Sequence, residues 1–194
     1  LVTKETVVAK VLILLDKSPF TSFGRIAHSF VEALEGEHEI EICYLTSPEY
    51  FPKNTDLHGF KVHSPKFFLG LYLYKIGLRK VVKQFKPDWL IAIRPELGFL
   101  VADIHKRFPH IKTSVMIHDM FAETLYPNSL KFKIINQFFI NPMLVADSFV
   151  YNSTYSLNET RKHYGLTKGQ CVIGCVIHPD QFYPLPMTQE EVRA

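Results

Sequence analysis

The sequence predicts an α/β fold, a doubly wound and mainly parallel sheet with helices on both faces. Two observations predict it. Apolar runs and helical patterns alternate about six times along the chain, the signature of strand–helix–strand units joined by right-handed crossovers. Runs such as KVLILL, DWLIAI and QCVIGCVI lack polar alternation, which fits strands buried on both faces and disfavours a sandwich. The length, 194 residues, allows one domain, or one and a fragment, at ~100–200 residues per domain.

Taken in order, residues 10–15 (KVLILL) read as a buried strand ended by Asp16, Ser18 and Pro19. Gly24 opens a helix in which Ile26, Phe30, Val31 and Leu34 fall at helical spacing, with Gly36 suited to its C-terminal end. EIEICYL alternates and reads as a strand; residues 46–58 carry Pro, Asn, Asp and Gly and read as a loop; FKVHS is a weak strand. Residues 67–86 form a long helix stopped by Pro87, and DWLIAI is the next strand. ELGFLVADIHKRF is a helix stopped by Pro109, KTSVMIHDM a strand running into polar residues, and SLKFKIINQFFINPML a helix up to Pro142. DSFVYNS is a strand, followed by a helix that Ser153 or Thr154 caps and Gly165 ends. QCVIGCVI is the last strand, HPDQFYPLP follows it, and TQEEVRA reads as the first turn of another helix.

Composition narrows the function classes. Apolar residues make up 47% and charged residues 21%, enough for a core and incompatible with intrinsic disorder. No apolar run reaches the ~18 residues of a membrane span, and LVTKETVVAK is not a signal peptide. The chain begins at Leu1 rather than Met, which points to a trimmed sequence. Three cysteines with no CxxC pair argue against a disulfide framework or a zinc site; the expectation is three buried thiols in a reducing compartment. Charge is uneven: Leu57 to Pro87 contains no Asp or Glu, and Lys66, Lys75, Arg79, Lys80, Lys83 and Lys86 within it exceed the net charge of the whole chain, +3.

Ligands of open parallel sheets bind at the carboxyl ends of the strands, so the residues following each strand carry the chemistry. The first such loop, DKSPFTSFG, is neither GxGxxG nor GxxxxGK[ST], which disfavours a dinucleotide dehydrogenase and a P-loop ATPase. Gly24 beside a helix start suits either a phosphate on backbone N–H groups or a plain turn. Arg94 suits bidentate binding of phosphate or carboxylate, or pairing with Glu96. His118, with Asp119 after it, is a candidate donor or base at the sheet edge, and no second His stands at metal-ligand spacing. Ser153 is most simply an N-cap, with a phosphate contact as the alternative. On the 67–86 helix, Leu71, Tyr74, Leu78, Val81, Val82 and Phe85 share one face, while Lys75, Arg79 and Lys83 step along the other, with Lys80 beside them. That helix packs on the sheet with a solvated basic face, or docks on anionic lipid. Nucleic acid is not expected, since overall charge is low and no binding motif occurs.

These strand-end residues resemble a known family. KVLILL with its glycine-containing loop, PDWLIAI, VMIHDM, ADSFVYNSTYS, HYGL and HPDQFYP, in that order over the whole chain, resemble the N-terminal domain of retaining GT-B glycosyltransferases of family 4. The resemblance implies a Rossmann-like acceptor-side domain over residues 1–186, with 187–194 beginning the link to a second domain. It implies transfer of a sugar from a nucleotide-sugar substrate to an acceptor, with retention and without a separate cofactor or metal. By position it places Gly24 and Ser153 near the donor, His118 on the transferred sugar, and Arg94, Glu96 and Asp119 toward the acceptor. Lipid-linked acceptors are common in the family, so a cytoplasmic protein resting on the inner membrane face through Lys75, Arg79, Lys80 and Lys83 is expected. The chain departs from the family in its single loop glycine, in Arg94 where His is frequent, in a short HPDQFYP lacking Asn-Gly, and in the absence of the paired glutamates expected after Ala194; the resemblance then implies either half of an enzyme or a naturally truncated relative. The alternatives are a sugar-nucleotide epimerase of the same architecture and a non-catalytic module binding a membrane or partner.

Overall fold

A computed structural model describes residues 8–16, 21–46, 59–63, 68–118, 126 and 128–173. Seven strands form one sheet, all parallel: β1 Lys10–Leu15, β2 Glu39–Thr46, β3 Phe60–His63, β4 Trp89–Ala92, β5 Lys112–Ile117, β6 Ser148–Tyr151 and β7 Gln170–Val172. Their order is β3-β2-β1-β4-β5-β6-β7. The connecting helices are α1 Ser22–Leu34, α2 Phe68–Phe85, α3 Gly98–Arg107, α4 Leu130–Ile135 and α5 Thr154–Tyr164.

Strand residues alternate between two cores. Leu12, Leu14, Leu90, Ala92, Val115, Ile117, Phe149 and Tyr151 face one side, against Leu78, Val82 and Phe85 of α2, Leu100 and Ile104 of α3, Met143, and Leu157 of α5. Val11, Ile13, Leu15, Tyr44, Ile91, Ile93 and Met116 face the other, where Ala27 of α1 is buried with Phe23, Ile26, Phe30 and Val31 packed around it. Burial on both faces explains why these strands read as unbroken apolar runs. The expected doubly wound sheet is therefore what forms, with α1 on one face and α2, α3 and α5 on the other.

Local signals act where the sequence places them, with two differences. Gly165 ends α5 in the left-handed conformation (φ 62°), its N–H bonding to the Arg161 carbonyl. Helix α1 starts earlier than Gly24: Thr21 is its N-cap, so Gly24 lies inside the first turn. The helix expected up to Pro142 is α-helical only to Ile135; a π turn (Asn136–Ile140) and a 3-10 turn (Asn141–Val145) follow. Pro142, which cannot donate within an α-helix, sits in the first turn of that 3-10 segment, where its missing N–H costs nothing. The segment packs so closely on α3 that a Cβ on Gly98 would lie 2.7 Å from Met143 N and Phe139 O.

The thiols need one correction. Cys43 is buried in β2, and burial pushes its pKa up to about 12, but Cys171 is exposed near the sheet edge in β7. Cys175, Asp119, HPDQFYP and the expected boundary at 186/187 lie outside the described residues.

Candidate functional site

All seven strands run the same way, so every strand-end residue lies on one edge of the sheet. The chain winds outward in one direction from β1 to β3, then returns beside β1 with β4 and winds the other way. Between β1 and β4 the connections diverge, which opens a crevice at their carboxyl ends.

Asp16 follows β1, Arg94 follows β4 and Glu96 lies in the 3-10 turn Pro95–Leu97. Arg94 bridges the two acids. Its Nη1 donates to Asp16 Oδ2 at 2.7 Å and its Nη2 to Glu96 Oε1 at 2.6 Å. The guanidinium lies over the Phe23 ring of α1 at 4.8 Å, and that ring also meets the His118 ring edge-on at 5.2 Å. His118 follows β5 and is 8% exposed. Thus the ends of three strands and the start of α1 bring Asp16, Phe23, Arg94, Glu96 and His118 into one contiguous group. Burial, and after it the charge of Asp16, raise the pKa of the Tyr74 phenol of α2.

The β6 end supports this group from behind. Ser153 is the N-cap of α5, its hydroxyl accepting from the Ser156 amide at 3.1 Å. Ser156 in turn donates to the His118 carbonyl at 3.3 Å and to Asn152 Oδ1 at 2.8 Å. Ser153 therefore has the capping role that its position suggests. The Gly24 amide likewise donates to Thr21 Oγ1 at 3.3 Å.

The basic helix divides. Arg79 forms a bidentate pair with Asp103 of α3, at 2.7 and 2.6 Å, and Lys75 lies over the Phe99 ring at 5.7 Å. Both cations are thus engaged with α3, while Lys80 and Lys83 are exposed. Burial alone would raise the Asp103 carboxyl, but hydrogen bonds and charge from Arg79 and Arg107 outweigh it and hold the group below its ordinary value. Among the described residues no helix is long and apolar enough to cross a membrane, and no group of three His, Cys, Asp or Glu is placed to hold a metal ion.

Sequence reasoning singled out Arg94, Glu96 and His118, and it placed Asp16 in the right loop. It missed Phe23, Tyr74, Ser156 and Asp103. Phe23 sits two residues after an N-cap, Thr21, and a search for that cap would have set it at the start of α1, facing the edge.

The sequence model of Glycosyltransferase Family 4 matches residues 23–181. The chain belongs to that family. Solved structures agree in fold. The family 4 domain superimposes with a TM-score of 0.71 on sucrose-phosphate synthase from Thermosynechococcus elongatus, at 10% identity, over 96% of this chain and 53% of that one. A lipopolysaccharide outer core galactosyltransferase, WaaB, in its apo form gives 0.63 at 13% identity, over 81% of this chain and 43% of that one. A transferase of Glycyrrhiza uralensis gives 0.55 at 11% identity, over 86% and 49%. The family 4 domain thus spans about half the length of these structures and has the Rossmann-like fold of a GT-B half. No curated protein matches it by sequence.

Proposed function

We propose that the chain is the acceptor-side half of a glycosyltransferase that moves a sugar from a nucleotide-sugar to an acceptor with retention of anomeric configuration. The observation that carries this reading is the meeting of Asp16, Arg94, Glu96 and His118 at the point where strand order reverses. A transferase of Siraitia grosvenorii that shares the fold, at 8% identity and a TM-score of 0.52, was solved with UDP, which supports a nucleotide-sugar donor.

The residues divide the work by chemistry. His118, held by Phe23 on its ring and by Ser156 on its carbonyl, presents a polar ring to the transferred sugar, where a fixed donor stabilises charge that develops as the donor bond breaks. Arg94 and Glu96 stand on the acceptor side. Gly24, in the first turn of α1, lies where the positive helix end favours the donor phosphates. On this reading a second half holds the nucleotide.

Product analysis tests this reading. The enzyme carrying both halves, given a nucleotide-sugar and an acceptor, should yield free nucleotide and a new glycosidic bond whose anomeric coupling matches the donor's. An epimerised nucleotide-sugar with no new bond would establish the epimerase alternative instead. A product of opposite configuration would remove retention alone.

A peripheral membrane position, and with it a lipid-linked acceptor, is favoured by one further observation. Leu130, Ile134 and Phe138 are 72%, 46% and 65% exposed at four-residue spacing, with Lys131 and Lys133 exposed beside them. Apolar side chains dipping between headgroups, flanked by cations, suit an anionic bilayer surface. The chain should float with phosphatidylglycerol vesicles and be released by salt; no difference between anionic and neutral vesicles would remove this reading.

A further inference from the structure

Phe23 stands between the two sides of the site. It lies in the first turn of α1, which the Thr21 hydroxyl fixes through the Gly24 amide, and it is half-buried against the core beneath that helix. The guanidinium carbon of Arg94 lies 4.8 Å from its ring centroid. The His118 ring meets it at 5.2 Å, with the two planes 72° apart. Both arrangements need an aromatic ring at position 23. A guanidinium within about 6 Å of a centroid is attracted by the negative face, and rings about 4.5–7 Å apart prefer an edge-on approach. An aliphatic side chain would serve the core beneath α1 and offer neither. Each neighbour of Phe23 is also fixed elsewhere. Arg94 donates to Asp16 at 2.7 Å and to Glu96 at 2.6 Å, and the His118 carbonyl accepts from Ser156 at 3.3 Å. One ring thus joins a guanidinium whose plane is set by two acids to an imidazole whose backbone is set by α5.

We propose that Phe23 is a positioning residue for sugar transfer: its ring carries the orientation of Arg94 to the imidazole of His118, so that the acceptor side and the transferred-sugar side are set together. The inference rests on the transferase reading and adds to it a residue that acts without reacting. Phe23 acts through His118. Loss of the ring therefore lowers kcat by letting the imidazole leave its productive orientation. Arg94→Lys keeps the charge, gives up the planar face and lowers kcat by the same route.

A double-mutant cycle in the enzyme that carries both halves tests this, read as kcat at saturating donor and acceptor. Phe23→Leu should lower kcat about tenfold with melting preserved, and Phe23→Tyr, which keeps the ring, should stay within about twofold of wild type. In a His118→Ala background, Phe23→Leu should cost less than about twofold more, because the group it positions is gone. Where Phe23→Leu fails to fold, Phe23→Met carries the same expectation. The His118 ring-proton resonances give a readout apart from turnover: they should shift in Phe23→Leu and return toward wild type in Phe23→Tyr. Near-normal kcat in Phe23→Leu, a full second loss in the His118→Ala background, or His118 resonances indifferent to position 23 would each overturn the proposal and leave the transferase reading standing. No new glycosidic bond from the unmodified enzyme would overturn both.

Discussion

The two edges of the sheet use the same residue types for different ends. At the amino edge, the residue just before a strand binds backbone of its neighbour. Asp88 accepts from the Lys10 amide at 2.8 Å, Asp147 from the Thr113 amide at 2.8 Å, and His38 from the Ala9 amide at 3.3 Å. Asp147 also accepts from the Thr113 hydroxyl at 3.0 Å, with His105 at 3.8 Å. These groups satisfy strand amides that have no ladder partner there. At the carboxyl edge, Arg94 binds side chains on two other segments, and His118 packs on a ring that also carries Arg94. Side chains that close off backbone amides hold the sheet together. Side chains held by other side chains keep a fixed geometry with polar atoms turned to a crevice, which is what ligand binding needs.

Substitutions can break or sharpen this contrast. The largest effect on stability is expected at Gly98, beneath the turn that carries Glu96. A Cβ there meets backbone and side chain of the following segment at 2.7 Å, so Gly98→Ala should cost about 1–3 kcal/mol by overpacking. Because the turn must shift with it, denaturant melts should show that loss together with weakened ligand binding. At the amino edge, Asp147→Ala removes the acceptor of the Thr113 amide and hydroxyl and should cost about 1–2 kcal/mol, reduced by its partial exposure. The same variant should leave binding and turnover unchanged; a loss of turnover with normal stability would erase the contrast between the edges.

Acid gives the smallest effect and a defined sign. Burial works against the charged forms of Asp103 and Asp147, yet the Arg79 and Arg107 guanidinium groups beside the first, and the Thr113 amide and hydroxyl beside the second, hold both below the ordinary 3.8. A carboxyl with a lowered folded value stabilises the fold above its unfolded value and loses that contribution as pH falls through the folded one. Stability should therefore decline below about pH 4, and Asp103→Asn should flatten that decline while lowering stability at neutral pH. An acid limb of unchanged slope in Asp103→Asn would show that the Arg79 pair does not contribute.

How far the sequence carries depends on the range of the interaction. Strand and helix identity follow from local chemistry: KVLILL is apolar throughout because both of its faces are buried, and Gly165 supplies the left-handed residue that ends α5. The edge carrying Arg94, Glu96 and His118 was legible too, since parallel strands put every strand end on one side. The pairing was legible only in part: Arg94 with Glu96, two positions on, was among the readings, and Arg94 with Asp16 was not. Asp16 and Arg94 are 78 positions apart and meet only because β1 and β4 are neighbours, with Leu14 opposite Ala92. Arg79 reads as a surface cation until α3 brings Asp103 to it. The π turn after Ile135 has no sequence signature apart from Pro142 two residues past its end, and it lies closely packed on Gly98.

Two histidines, one on each edge, test the central claim most directly. Turnover and melting should be measured for His118→Ala and His105→Ala in the enzyme that carries both halves. The account predicts that His118→Ala lowers turnover by about 100-fold with melting preserved, as loss of one fixed polar contact to a transition state does. It predicts that His105→Ala stays within about twofold of wild-type turnover, because its ring faces Asp147 and Thr113 at the opposite edge. Near-normal turnover in His118→Ala, or a larger loss in His105→Ala, would contradict it.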